Sequence, residues 1–105
     1  MFILGDIGNS ETKVYLVSSR NKIVRNINFQ SKKINNKILN HKFKYLVKDY
    51  RSIKKVLFCS VVPKSYNLIK KFLSKKLKNK CYEVKDLKIK SLIDIKVNFK
   101  QVGSD

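Results

Sequence analysis

Between Lys54 and Leu77 the hydrophobic pattern changes period across the chain's single proline, and this change limits the possible folds more than any other feature. Val56-Leu57-Phe58-Cys59 is apolar without interruption, as in a strand covered on both faces. Beyond Pro63, residues Tyr66, Ile69, Leu73 and Leu77 fall on one stripe of a helix. Proline's fixed φ and missing N–H suit the first turn of a helix. The pattern therefore predicts a strand over 54–62 and a helix opening at Pro63, the makings of an α/β domain. With 105 residues, the chain has room for one small domain and a core of little margin.

The remaining elements follow from the same reasoning. Phe2-Ile3-Leu4 reads as a short buried strand ending at Gly5-Asp6, and Thr12 to Val17 as a second strand rich in β-branched and aromatic residues. Asp6 to Glu11 between them is a turn-rich connection. Ile23 to Phe29 alternates as a third strand, with Ile23, Arg25, Ile27 and Phe29 on one face and Val24, Asn26 and Asn28 on the other. From Asn35 to Asp49, Leu39, Phe43, Leu46, Val47 and Tyr50 trace one face of an amphipathic helix. Cys81 to Val84 is a short fifth strand, and Leu92 to Val97 is apolar without a clear period. No repeat or linker divides the chain. The order β-β-β-α-β-α-β resembles the first lobe of the RNase H-like fold shared by actin and the sugar kinases, so residues 1–105 are expected to form one ATPase-like lobe.

Charge raises a different possibility. Against 25 Lys+Arg there are 7 Asp+Glu, a formal net charge of +18, which suits a polyanionic partner. The cations are almost all lysine, however; arginine, which makes bidentate contacts to phosphates and bases, occurs only at Arg20, Arg25 and Arg51. The chain is also rich in Ile and Asn and lacks Ala, as expected of A/T-rich coding. No specific nucleic acid partner is therefore expected. Cys59 and Cys81 lie in apolar segments without a CxxC or Cys/His cluster, which predicts buried thiols. Met1 to Gly8 has no basic region typical of a signal peptide, and no apolar run approaches the ~18 residues of a membrane span. No membrane partner is expected, and the expected location is the cytoplasm.

The segment from Gly5 to Lys13 carries the clearest chemistry. A carboxylate, Asp6, closes a strand beside a turn built from Gly8 and Asn9, residues that let backbone N–H groups converge on an anion. Ser10, Thr12 and Lys13 add hydroxyl and ammonium donors. Asp6 suits Mg²⁺, a hard ion that prefers carboxylate and water oxygens. An ordinary hairpin turn uses the same residue types. The place of this one, between the first two strands of the lobe, favours the phosphate site.

Here a family resemblance emerges. Asp6-Ile7-Gly8-Asn9-Ser10 is similar to the Asp-x-Gly-Asn-Thr phosphate loop of type III pantothenate kinases. Cys59-Ser60-Val61-Val62-Pro63 resembles the family's Ser-Ser-Val-Val-Pro, and Val102-Gly103-Ser104-Asp105 its Val-Gly-Ala-Asp-Arg, with Asn98 matching an Asn shortly before. The three motifs occur in family order and span the chain, as the first half of a family protein. Departures are Ser10 for Thr, Phe99 for Pro, Lys96 where many members have Tyr, and Phe29-Gln30-Ser31 for a Trp-Arg-x-Ser-Thr segment.

The resemblance implies ATP-dependent phosphorylation of the pantothenate hydroxyl, the first step towards coenzyme A. Asp6, Ile7, Gly8, Asn9, Ser10, Glu11, Thr12 and Lys13 would bind the ATP phosphates, Asp6 also holding the metal. Gly103, Ser104 and Asp105 would contact pantothenate, with Asp105 taking the hydroxyl proton. The alternative for Asp105 is a helix cap without chemistry. The family also implies a monovalent cation (K⁺ or NH₄⁺) and a homodimer at full length. A second lobe is expected to be absent from this chain and the isolated half inactive. The competing reading is a small basic RNA-binding module, which has no use for carboxylates in its groove.

Overall fold

The computed structural model describes residues 1–77 and the backbone of 81–84. Its elements are β1 (Phe2–Ile7), β2 (Glu11–Val17), β3 (Ile23–Gln30), α1 (Asn36–Leu46), β4 (Lys55–Ser60), α2 (Pro63–Leu77) and β5 (Cys81–Val84). The sheet has the strand order β3-β2-β1-β4-β5. β1, β2 and β3 form an antiparallel meander, while β4 and β5 run parallel to β1 and to each other. This is the first-lobe arrangement of the RNase H-like fold, and the order matches the one expected from periodicity.

Strand ends differ from expectation where hydrogen bonding extends them. β1 continues through Asp6 and Ile7 because both of its edges are paired, Ile7 facing Thr12 on β2 and Ser60 on β4. The β2–β3 turn is closed by Asn21 N–H to Ser18 O (2.9 Å) and Ser18 N–H to Lys22 O (2.8 Å). Asn21 adopts φ 60°, the left-handed conformation that asparagine tolerates best after glycine. Just beyond, the register shifts: Leu16 faces Arg25, but Val17 faces Ile23. This bulge at Val24 overturns the expectation that Ile23 shares a face with Ile27 and Phe29. Ile23 packs instead beside Leu4, Tyr15 and Val17 on the opposite face.

α1 begins where Asn35 Oδ1 accepts the Ile38 N–H (2.8 Å), satisfying one orphan donor of the first turn. It ends at Leu46 rather than reaching Asp49, because Val47 is already extended. Arg25 Nε donates to the Leu46 carbonyl (3.1 Å), a cationic partner for the helix's negative end. Tyr50 enters a separate 3₁₀ turn, Tyr50–Ser52, capped by Asp49.

Both helices lay their apolar stripes on one face of the sheet. Leu39, Phe43 and Leu46 of α1 meet Tyr66, Ile69, Leu73 and Leu77 of α2 over Ile3, Ile7, Val14, Leu16, Val56 and Phe58. Each such aliphatic or aromatic side chain contributes about 1.5–3 kcal/mol by leaving water. The other face holds a smaller cluster, Leu4, Tyr15, Val17 and Cys59, with Leu57 packed against it. β4 is thus apolar on both faces, as its uninterrupted sequence predicts, and Cys59 is a buried thiol. Gly5 is required where β1 passes β4: a side chain at this position would run into the ring of Phe58, its partner in the register. The turn Tyr50–Ser52 lies at the end of the sheet where β4 begins. There hydrogen bonds from Arg51 hold the Asp49 carboxyl below the usual carboxylate range, and burial pushes the Tyr50 hydroxyl up to about 12.

Candidate active site

The hairpin that carries the candidate residues lies at the opposite end of the sheet, where β1 and β4 both finish. Side chains alternate along a strand, so Asp6 shares its face with Leu4 and points away from the two helices. It is exposed, and its register partners are Lys13 on β2 and Cys59 on β4. The structure therefore brings Asp6 and the half-buried Lys13 side by side on one face. Glu11 and Asn28 extend that polar surface across β2 and β3, since Asn28 faces Lys13 in the register.

Gly8, Asn9 and Ser10 make the hairpin tip between β1 and β2. Gly8 N–H donates back to the Glu11 carbonyl (3.0 Å), so this amide closes the turn and does not face a ligand. No residue of the tip is in the left-handed region. The expected convergence of amides thus narrows to the exposed Asn9 and Ser10. Two further expectations shift for a physical reason. Ile7 and Thr12 are both 0% exposed, so neither side chain can touch a nucleotide. The Thr12 hydroxyl is instead hydrogen bonded to Ser31 Oγ (2.8 Å). Gly103, Ser104 and Asp105, with Lys96, Asn98, Phe99 and the stretch 92–97, lie outside the described residues.

Sequence reasoning missed how the hairpin is held. Ser31, just past β3, donates from Oγ to the Gly8 carbonyl (2.7 Å), and its backbone N–H donates to the Ser10 carbonyl (3.0 Å). The sequence gives little signal for it, since Thr12 lies between Glu11 and Lys13 and Ser31 between Gln30 and Lys32. The end of β4 is tied in as well, with Val61 N–H donating to the Ile7 carbonyl (3.1 Å). Ser60 Oγ donates to Val62 O and accepts from Val62 N–H, both at 2.9 Å, so its hydroxyl shapes the turn into α2.

Beside the hairpin lies an open depression of about 560 Å³ lined by Ser10, Glu11, Asn28, Phe29, Gln30 and Lys32. Its size falls within the ~300–1,000 Å³ of ligand clefts. Among the described residues no cluster of three or more His, Cys, Asp or Glu could cage a metal, and His41 is an exposed side chain on α1. No helix among them is long and apolar enough to cross a membrane.

What the site offers is two exposed carboxylates, Asp6 and Glu11, the ammonium of Lys13 and a braced hairpin at the end of the first strand. The family model of type III pantothenate kinase matches residues 2–105. The type III pantothenate kinase of Pelagibacter ubique (strain HTCC1062) is 51% identical over 105 residues, the whole of this chain and 42% of the relative. This chain thus spans less than half the length of the curated relative it matches. With the motifs, the strand order and the family model in agreement along its length, the chain belongs to the type III pantothenate kinase family.

Proposed function

We propose that this chain supplies the phosphate-handling lobe of an enzyme that phosphorylates pantothenate with ATP, the entry to coenzyme A biosynthesis. The observation that carries the proposal is the placement of Asp6 and Lys13 as register partners on an open face beside the hairpin tip. Phosphoryl transfer demands charge neutralisation and alignment more than covalent chemistry, and a carboxylate next to an ammonium serves both. Lys13 would pair with phosphate oxygens, and the Asn9 and Ser10 amides would cradle them.

Mg²⁺ fits this donor set. That ion is commonly bound through one or two carboxylates together with waters and substrate phosphates, so the single carboxylate of Asp6 suffices. When bound, it would neutralise charge on the transferring phosphoryl group. Asp105 is proposed to accept the proton of the pantothenate hydroxyl, with Gly103 and Ser104 allowing close backbone approach. The monovalent cation, the homodimer and a cytoplasmic setting belong to the same proposal for the whole enzyme. An RNA-binding role is not favoured: among the described residues the one strongly exposed aromatic is Tyr45, whereas single-strand platforms stack several.

The test joins residues 1–105 to the remaining segment of the Pelagibacter relative and follows pantothenate-dependent ADP release. Turnover in the usual kinase range of about 1–100 per second is expected. Asp6→Asn should lower it by 10²-fold or more, on the order of other groups that stabilise transition-state charge. ADP release independent of pantothenate would overturn the proposal.

A further inference from the structure

Ser31 stands at the foot of the hairpin, 5% exposed, and makes three hydrogen bonds that all bear on the tip. A serine hydroxyl carries one proton. Ser31 Oγ uses it on the Gly8 carbonyl at 2.7 Å. In the 2.8 Å contact between Thr12 Oγ1 and Ser31 Oγ, Thr12 must therefore be the donor. The result is a one-directional relay, Thr12 O–H to Ser31 Oγ and Ser31 O–H to Gly8 C=O, enclosed from water because Thr12 is 0% exposed.

This relay has a geometric consequence. In a trans peptide the C=O of one residue and the N–H of the next point in opposite directions, and the described chain has no cis bond. With the Gly8 carbonyl drawn inward to Ser31, the Asn9 N–H points outward from the tip. We infer that Ser31, supported by Thr12, is a positioning residue that sets the Gly8–Asn9 peptide so that its N–H is presented to a phosphate. It acts through the peptide and touches no ligand. The inference rests on the phosphate reading of the hairpin, and its test separates the two.

The full 105-residue chain is titrated with magnesium tripolyphosphate at about 0.15 M salt, which screens distant lysines, and backbone amide shifts are followed by NMR. In the unaltered chain, Asn9 should show a saturable shift. Ser31→Ala should weaken the affinity read at Asn9 by about tenfold, the scale of one lost buried hydrogen bond. Ser31→Thr, which keeps the hydroxyl, should restore it. Unchanged affinity at Asn9 in Ser31→Ala, or equal weakening in a folded Ser31→Thr, overturns the positioning role alone. No response at the hairpin of the unaltered chain overturns the phosphate reading and the positioning role together. Should Ser31→Ala fail to fold, Thr12→Val cuts the same relay at its donor end. It should weaken the Asn9 response, and an undiminished response would refute the role.

Discussion

Replacing Gly5 with alanine adds one methyl group at the point where β1 crosses β4, and the structure places the ring of Phe58 in its way. Phe58 cannot simply swing aside. It is 0% exposed and packs against Tyr66, with ring centroids 6.2 Å apart. Forcing a methyl into a well-packed core costs about 1–3 kcal/mol. Against that, alanine removes glycine's strand penalty of roughly 0.5–1 kcal/mol. The net expectation is a loss of about 0–2.5 kcal/mol in the native background. In a Phe58→Leu background the smaller side chain leaves room, and Gly5→Ala should become neutral or stabilising. Urea unfolding of the four proteins, extrapolated to water, gives the coupling between the two sites. A coupling of about 1–3 kcal/mol is expected, within the range seen for residues in contact. Additivity within about 0.5 kcal/mol would refute the argument that Phe58 selects glycine at this position.

Three other outcomes are expected. Asp105→Asn in the joined enzyme should keep the melting temperature and ATP binding but lower kcat by roughly 10²–10⁴-fold, since asparagine caps a helix yet cannot take a proton; near-normal kcat would leave Asp105 a cap. Burial favours the neutral phenol of Tyr50, so its contribution to stability is complete below pH 10 and falls as pH rises towards about 12. Comparing pH-dependent unfolding of the native chain with Tyr50→Phe should show a steeper alkaline loss in the native chain, and identical curves would contradict it. Binding to unrelated RNAs should be weak and fall steeply with salt, as expected of unselected surface lysine; a persistent preference of about 10³-fold for one sequence would point to true recognition.

Local pattern carried much of this fold. The proline located the start of α2 and the stripe Tyr66, Ile69, Leu73, Leu77 its buried face, and the continuous apolar run of β4 signalled cover on both faces. What stayed hidden depended on partners distant in sequence. Ile23 falls in step with Arg25, Ile27 and Phe29 in a fair alternation, yet the bulge turns it over, because register is a property of two strands and not of one. Ile7 resembled turn sequence until its pairing with Thr12 and Ser60 drew it into the sheet. The site divides in the same way. Asp6 and Lys13 were legible from the motif, whereas Thr12 turned inward to a serine nineteen positions away, and the brace at Ser31 exists only once β3 lies beside β2.

The bulge at Val24 also bears on how this lobe behaves beside copies of itself. Among the described residues β3 is an outer strand of the sheet, its backbone donors and acceptors on one side without a neighbouring strand. Such a border is a template for another chain, and it recruits best when it is long, flat and regularly spaced. Here the spacing breaks between Arg25 and Ile23, so an incoming strand in step with Gln30 to Arg25 falls out of step at Val24. Lys22, exposed beside the break, adds a positive charge to that border. The irregularity that breaks the alternation thus also makes this border a poor template for a further strand.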